Sequence, residues 1–481
     1  MPILTPVLPE IVLALGVLAL LMLGVYGGNR ALGTVWTGAM ALIAAAALLA
    51  IWSAGESGGA AGTFNDTFVL DGFAVFMKVL AATGSVATLL ISRTYLIKRN
   101  LDRFEYPVLA TLSTLGMFMM ISAADMLTLY VGLELQSLAL YVLAAFARDR
   151  QRSTEAGLKY FVLGALSSGM MLYGISLIYG FAGSTTFVDI ANIAANDGGR
   201  NIGLVVGLVF VLTGLAFKLS AVPFHMWTPD VYEGAPTSVT AFFAAAPKVA
   251  AMALLIRVVM LAFGEMAEQW QQVIIVLAVA SMALGSVVAL IQTNIKRLLA
   301  YSSITHMGYA LTGLAAGGPA GREAVMVYMA IYVLMTAGAF AVVLSMRNEE
   351  KYSEEIADLA GLVKTDPSMA VALGIIMVSL IGFPPFFGFW AKYTVFLTVV
   401  EAGLVWLAVA GVIASAIAAY YYLRIVKLMF FDEPAGSFEP QRDRGVNGVI
   451  FATAVVNSPL CLALFGPLTV AADGAARSFG L

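Results

Sequence analysis

Residues 214–230 read GLAFKLSAVPFHMWTPD. Lys218 lies inside an apolar run, Pro223 follows five positions later and His225 two after that. A helix in lipid accepts none of the three without a reason, because charge is costly there and proline frees a backbone carbonyl. Resolving that conflict decides the fold.

The composition sets the class. The 481 residues are 61% hydrophobic and 11% charged, with mean hydropathy +0.92. A soluble domain carries about a quarter charged residues. Lipid can cover this much apolar surface, whereas one soluble core cannot. Net charge is −3, which leaves no basic footprint for nucleic acid. One cysteine, Cys461, and two histidines make no disulfide framework, iron–sulfur site or zinc site. No glycine-rich phosphate loop appears. The chain is therefore expected to carry no redox cofactor or nucleotide of its own. The first apolar run lacks a basic leader and is long enough to span, so it reads as a retained helix.

Apolar runs of about 20 residues fall near 7–26, 31–52, 70–92, 106–124, 126–147, 156–181, 202–222, 238–263, 271–292, 297–316, 323–346, 368–399, 402–429 and 446–470. The fold expected is an all-α polytopic membrane protein of about 14 transmembrane helices. The polar step at 122–125 separates the fourth and fifth spans.

Basic residues set the orientation. The odd-numbered connections hold Arg30, Arg93, Lys98, Arg99, Arg103, Arg148, Arg150, Arg152, Lys296, Arg297, Arg347, Lys351, Lys364, Arg424, Lys427, Arg442 and Arg444. The even connections and the C-terminus hold only Arg200, Arg322 and Arg477, a bias of 17 to 3. Positive residues stay in the cytoplasm, so both termini are expected outside.

Six basic residues remain within spans: Lys78, Lys159, Lys218, Lys248, Arg257 and Lys392. Each costs about 2.5–3.5 kcal/mol at mid-helix. Snorkelling to the headgroups is the plain reading for Arg257 and is open for Lys78 and Lys159. It does not suit Lys218, Lys248 and Lys392, which stand deep or beside helix breaks. Pro223 cannot donate to the carbonyl of Leu219, and Pro384 and Pro385 free those of Leu380 and Ile381. Pro247 directly precedes Lys248. Interrupted helices with a charge at the interruption are how ion transporters build sites at mid-depth.

A buried lysine wants a counter-charge, and Glu134, near mid-depth of the fifth span, is the candidate. At about 4 Å and an effective dielectric near 20 such a pair is worth roughly 4 kcal/mol, about a thousandfold in proton affinity. Moving Glu134 toward or away from Lys218 would load or release a proton. His225 and His306 suit a relay because imidazole titrates nearest neutrality, although a histidine near a helix end is as often a packing residue. Tyr301, Ser302 and Ser303 are candidates to line water, or simply to link helices.

Lys218 and Lys392 lie five spans apart, each in a proline-broken helix. Five is odd, so consecutive five-helix units would insert in opposite orientation. Spans 4–8 (residues 106–265) and 9–13 (266–432) then form two inverted repeats with broken helices 7 and 12, after an N-terminal three-helix segment (1–105) and before a last loop and helix (433–481).

The stretches FKLSAVPFHMWTPDVYEGAPTSVTAFFAAAPKVAA (217–251), KYFVLGALSSG (159–169), KRLLAYSSITHMGY (296–309) and GFPPFFGFWAK (382–392) resemble the antiporter-like membrane subunits of respiratory complex I, most closely the N type. The resemblance covers nearly the whole chain and is weakest at its ends. It implies fourteen helices with two inverted repeats and a working set of Glu134, Lys218, Lys248 and Lys392, with Lys159 at a further basic position. Lysine at 392, where the M type has glutamate, favours the N type. The resemblance also implies proton pumping driven by NADH and quinone chemistry in other subunits. FMN, iron–sulfur clusters and quinone would sit in those partners. The partners implied are the M-type, K-type and neighbouring membrane-arm subunits, with lipid, water and protons, in a bacterial inner membrane. A subunit of a multi-subunit Na⁺/H⁺ antiporter of the related type is the alternative.

Overall fold

Helices begin where the sequence supplies a cap. The Asp71 carboxylate accepts the Ala74 N–H at 2.7 Å, Asp125 accepts those of Leu127 and Thr128, and Asn201 and Asn294 do the same for their helices. Asp125 thus divides the fourth span from the fifth, at the polar step seen in the sequence. The computed structural model describes residues 4–56, 60–196, 199–348, 351–440 and 443–480. Arg442 and the Lys351 side chain, counted in the charge bias, lie outside the described residues.

The helices run α1 Leu8–Gly27, α2 Leu32–Glu56, α3 Gly72–Lys98, α4 Glu105–Ser122, α5 Met126–Ala144, α6 Gln151–Ala182, α7 Phe187–Asn196, α8 Ile202–Leu219, α9 Trp227–Gly234 and α10 Thr237–Ala244. They continue with α11 Ala246–Arg257, α12 Ala267–Ala289, α13 Ile295–Ala315, α14 Gly318–Val343, α15 Leu362–Thr365, α16 Pro367–Ile381, α17 Phe387–Glu401, α18 Val405–Phe431, α19 Arg444–Asn457 and α20 Leu462–Arg477. Two small antiparallel hairpins join them, β1 Ala61–Thr63 with β2 Phe68–Leu70 and β3 Arg347–Asn348 with β4 Lys351–Tyr352. The chain is an all-helical, polytopic membrane protein, with eleven described helical stretches long and apolar enough to cross a bilayer. α4 and α13 fall below that apolarity because buried Ser, Thr, Tyr and His side chains dilute them.

Contacts sort the connections onto two faces. On one, the Thr237 N–H donates to the Tyr95 hydroxyl at 3.3 Å, Tyr95 meets Tyr352 edge-on at 4.6 Å, Lys296 pairs with Glu354 at 2.9 Å, and Lys98 and Arg347 both reach Glu439. On the other, the Ala124 N–H donates to the Thr67 carbonyl and the Met126 N–H to that of Thr185. There too Gln269 donates to the Gly199 carbonyl and the Gly480 N–H to Asp71. The turn at Thr5–Val7 packs on the β1–β2 hairpin, so both ends of the described chain lie on the Asp71 face. Asp443, which caps α19, accepts from Thr94 near the far end of α3, and α20 ends against Gly72. The last span therefore crosses as two pieces, broken at Ser458–Cys461, and not as one continuous run over 446–470.

The centre of the bundle is the stretch Thr237–Ala262 and helix α14, whose apolar windows are 100% and 94% buried, against 33% for α1. With no hydrophobic force between helices in lipid, close packing decides. A Cβ at Gly174 would meet the Gly207 carbonyl at 2.7 Å, and one at Gly308 would meet that of Ala278 at 3.0 Å. Glycine lets α6 approach α8, and α12 approach α13. The central position of α11 matters most, because it carries Lys248.

Candidate functional site

The first proline break follows α8. Ser220 takes a left-handed backbone, φ +60°, and the chain resumes as α9 at Trp227. Pro223 leaves the Leu219 carbonyl without its helical donor. A bare carbonyl at this depth would cost about 1–3 kcal/mol. The Lys248 ammonium supplies the bond from α11, donating to Leu219 O at 2.9 Å and Ser220 Oγ at 2.5 Å. Thr228 also donates to Ser220 Oγ, at 2.5 Å. The ammonium stands at the negative end of the α8 dipole, which favours a cation.

Lys218, one residue before that carbonyl, points elsewhere. Its Nζ donates to Ser137 Oγ at 2.6 Å and to the Tyr141 hydroxyl at 3.3 Å, both on α5. The rings of Tyr141, Tyr160 and Phe217 surround it at 5.3, 5.9 and 5.6 Å. Glu134, a turn below Ser137, is half-buried and accepts from Ser168 of α6. It lies within Coulomb reach of Lys218, but among the described residues no ion pair within 4.0 Å joins the two. Lys218 is held by Ser137 and Tyr141, and Glu134 by Ser168.

A second break lies between α16 and α17. Gly382 is left-handed, φ +81°, and the Ile381 carbonyl faces Pro385. The Lys392 ammonium donates to it at 2.7 Å and to Ser415 Oγ of α18 at 2.7 Å, while Ser415 itself donates to Ile381 O at 3.2 Å. A Cβ on Gly382 would also strike the Lys392 chain at 2.7 Å, so glycine serves both backbone and space. Lys392 lies over the Tyr309 ring at 4.7 Å.

Hydroxyls fill the interval between the breaks. Lys248 sits over Trp227 at 5.5 Å, Trp227 meets Tyr232, and Tyr232 lies beside Ser303 and Tyr332. The Ser303–Tyr332 oxygens are 2.8 Å apart. His306 Nδ1 is 2.6 Å from the Tyr328 hydroxyl, and its Nε2 is 3.4 Å from that of Tyr422. Ser302 bonds Tyr422 at 2.5 Å. His306 meets the edge of Tyr309, whose face Lys392 covers.

Other residues fall outside this line. Lys159 is half-exposed and pairs with Glu155 at 2.8 Å and Asp230 at 3.0 Å, in a cluster with Arg297 and Glu233. His225 stays half-buried beside the Pro223 backbone, and no described side-chain bond ties it to the lysines. Arg257 does not snorkel: it is fully buried, 2.7 Å from Asp71, and donates to Ile121 O at 2.5 Å. Lys78 is buried 2.6 Å from Glu10 of α1. The acids decide both cases, and each stood in the sequence as a lone carboxylate at the edge of an apolar run. Sequence reading also missed Ser137, Ser168, Ser220, Ser415, Tyr328, Tyr332 and Tyr422, because hydroxyls are common in membrane helices and only the packing selects these.

Buried amines on two proline breaks, joined by hydroxyls inside a helical bundle, define an ion-path class of membrane protein. Residues 123–418 match the family model described as NADH:quinone oxidoreductase/Mrp antiporter, TM. A relative from Rhizobium meliloti, "NADH-quinone oxidoreductase subunit N 1", is 55% identical over 98% of this chain and 97% of its own. A chain of "Respiratory complex I from Thermus thermophilus with bound Aureothin" superposes with TM-score 0.82 at 32% identity, covering 97% of this chain and 99% of that one. A chain of the Mrp complex from Dietzia sp. superposes with TM-score 0.84 at 23% identity, over 98% of this chain and 97% of that one, which shows the fold alone. The chain belongs to the NADH-quinone oxidoreductase subunit N family.

Proposed function

We propose that the chain is a proton-translocating subunit of the membrane arm of a bacterial NADH:quinone oxidoreductase, driven by redox chemistry in other subunits. One observation carries the reading: two separate helix breaks each hold a lysine ammonium on a carbonyl that proline has freed. A structural spacer needs no titratable group at either point. In this reading Lys218, Lys248 and Lys392 pass protons along the axis, with Tyr232, Ser303, His306, Tyr422 and Tyr309 between. Glu134 biases Lys218. The observed geometry is its withdrawn state, with Glu134 on Ser168 and Lys218 on Ser137 and Tyr141. Lys159 and His225 act at the margin, Lys159 at the cytoplasmic mouth beside Asp230 and His225 beside the first break.

The finer architecture supports the same reading. The two faces, with the connections alternating between them, fit fourteen crossings. The two breaks fit inverted repeats over 106–265 and 266–432, each having a left-handed residue three positions before proline. The face with Lys98, Arg99 and Lys296 is cytoplasmic by its charge, so both termini are periplasmic. FMN, iron–sulfur clusters and quinone belong to partner subunits, and the flanking membrane subunits are of the M and K types.

The test is NADH-driven proton uptake into vesicles bearing the assembled complex with Glu134→Ala or Lys218→Ala. Pumping should be lost while assembly persists, and a wild-type rate would end the reading. Collapsing a sodium gradient in place of the proton gradient should leave the rate unchanged; a sodium effect would favour the antiporter alternative.

A further inference from the structure

A groove of about 730 Å³ opens on the outer wall of the bundle between α1, α4, α5 and α6. That is within the ~300–1,000 Å³ that ligand sites occupy. Its floor is apolar, built from Leu21, Leu109, Val142 and Phe161. Its mouth is not. Arg103 lies just before α4 and Arg148 just after α5, where both spans end on the arginine-rich face. Both side chains are exposed, and among the described residues neither is in an ion pair. Glu105 also lines the mouth, so the rim carries two positive charges against one negative. One phosphodiester balances it.

We propose that this groove binds one anionic phospholipid, its phosphate on Arg103 and Arg148 and an acyl chain along the α5–α6 wall. Basic pockets between membrane helices on the cytoplasmic side take such headgroups, and guanidinium forks match phosphate oxygens. The site reaches the buried lysines through one side chain. Tyr141 lines the groove, and its hydroxyl accepts from Lys218 Nζ at 3.3 Å. An acyl chain against the ring keeps water from the lipid side of Lys218 and holds the hydroxyl in place. The charge balance favours a lipid over a helix of a neighbouring subunit, which would need an acid of its own at this depth.

The test uses the assembled complex, delipidated and returned to phosphatidylcholine bilayers with a trace of photoactivatable phosphatidylglycerol or of the matching phosphatidylcholine probe. Phosphatidylglycerol should label the segment 141–161 several-fold more than phosphatidylcholine. Arg103→Gln with Arg148→Gln should bring the two to the same level, whereas Arg103→Lys with Arg148→Lys should keep a preference. Equal labelling by both probes in the wild type overturns the proposal. So does an unlabelled 141–161 segment, which would mean that a neighbouring subunit fills the groove. If the glutamine pair fails to assemble, the wild-type and lysine-pair comparisons decide. The inference takes the arginine-bearing face to be at the headgroups. Labelling is read without proton pumping, so its failure is distinct from failure of the relay.

Discussion

The two breaks meet the same demand with different parts. At the first, the Leu219 carbonyl depends on a lysine from another span, and a second lysine beside it bonds Ser137 and Tyr141 of α5, the helix that also carries the half-buried Glu134. At the second, the Ile381 carbonyl is bonded twice, by Lys392 from the far half of its own span and by Ser415. Aligned on their left-handed residues, Ser220 on Gly382, Lys218 falls on Leu380 and Lys392 on Asp230. The lysines are thus on opposite sides of their breaks and are not copies of one another. The repeated feature is the ammonium on the freed carbonyl, while the acid is particular to the first break.

The buried pairs outside both breaks set the scale for purely structural charge. Arg257→Met would strand the buried Asp71 carboxylate, which also accepts the Gly480 N–H. Breaking a buried pair costs about 3–5 kcal/mol. The expected result is reduced assembled complex and a lower Tm, with pumping falling only in proportion to the complex present. Pumping lost from normal amounts of complex would move Arg257 into the relay.

The comparison predicts unequal costs for the two capping lysines. Lys248→Met leaves Leu219 O without a described partner, at about 1–3 kcal/mol. Lys392→Met leaves Ile381 O its bond from Ser415. Both variants should lose proton output, but Lys248→Met should lower the Tm of the assembled complex by the larger amount, with Lys392→Met close to wild type. Equal Tm losses would break the distinction between the sites.

Much of this was legible in the sequence for a physical reason. Proline frees a carbonyl at a fixed offset, so the sequence itself names Leu219 and Ile381. Charges at mid-depth are costly enough to stand out, so Lys218, Lys248 and Lys392 could be named as well. Sequence could not say that Lys248 serves a carbonyl beside Lys218, because that contact joins residues about thirty positions apart through the tertiary fold. Nor could it separate Arg257, which has a buried acid waiting, from an arginine at the headgroups. For Lys159 the sequence left snorkelling open, and the structure places it two turns into α6, where Asp230 and Glu155 meet it at the surface.

A smaller effect probes the double bonding itself. Ser415→Ala removes one of two donors to Ile381 O and should cost about 1 kcal/mol. Combined with Lys392→Met it leaves that carbonyl bare, so the pair should cost more than the two single changes added together. Simple additivity in Tm would mean that another group or water holds the carbonyl, and the second break would then share less with the first.

The smallest effect concerns the strap between α9 and α13, on the face that bears Lys98 and Arg99. Lys296, at the start of α13, donates to the Glu233 and Ala235 carbonyls at the end of α9 and pairs with Glu354 at 2.9 Å. Burial pushes the Glu354 carboxyl up, but the Lys296 ammonium and the Asn294 amide outweigh it and hold the group below the usual carboxylate range. A depressed carboxylate contributes stability that is fully present above its unfolded value, near about 4.3, and is lost as pH falls through the folded value. Glu354→Gln should therefore cost under about 1 kcal/mol at neutral pH, with wild type and variant converging in Tm as pH drops below about 4. A gap that stayed constant with pH would show that Lys296 is held by the two carbonyls alone. In that case the coupling between α9 and α13 would not depend on the loop, and among the described residues the link between the two breaks would run through the buried hydroxyls.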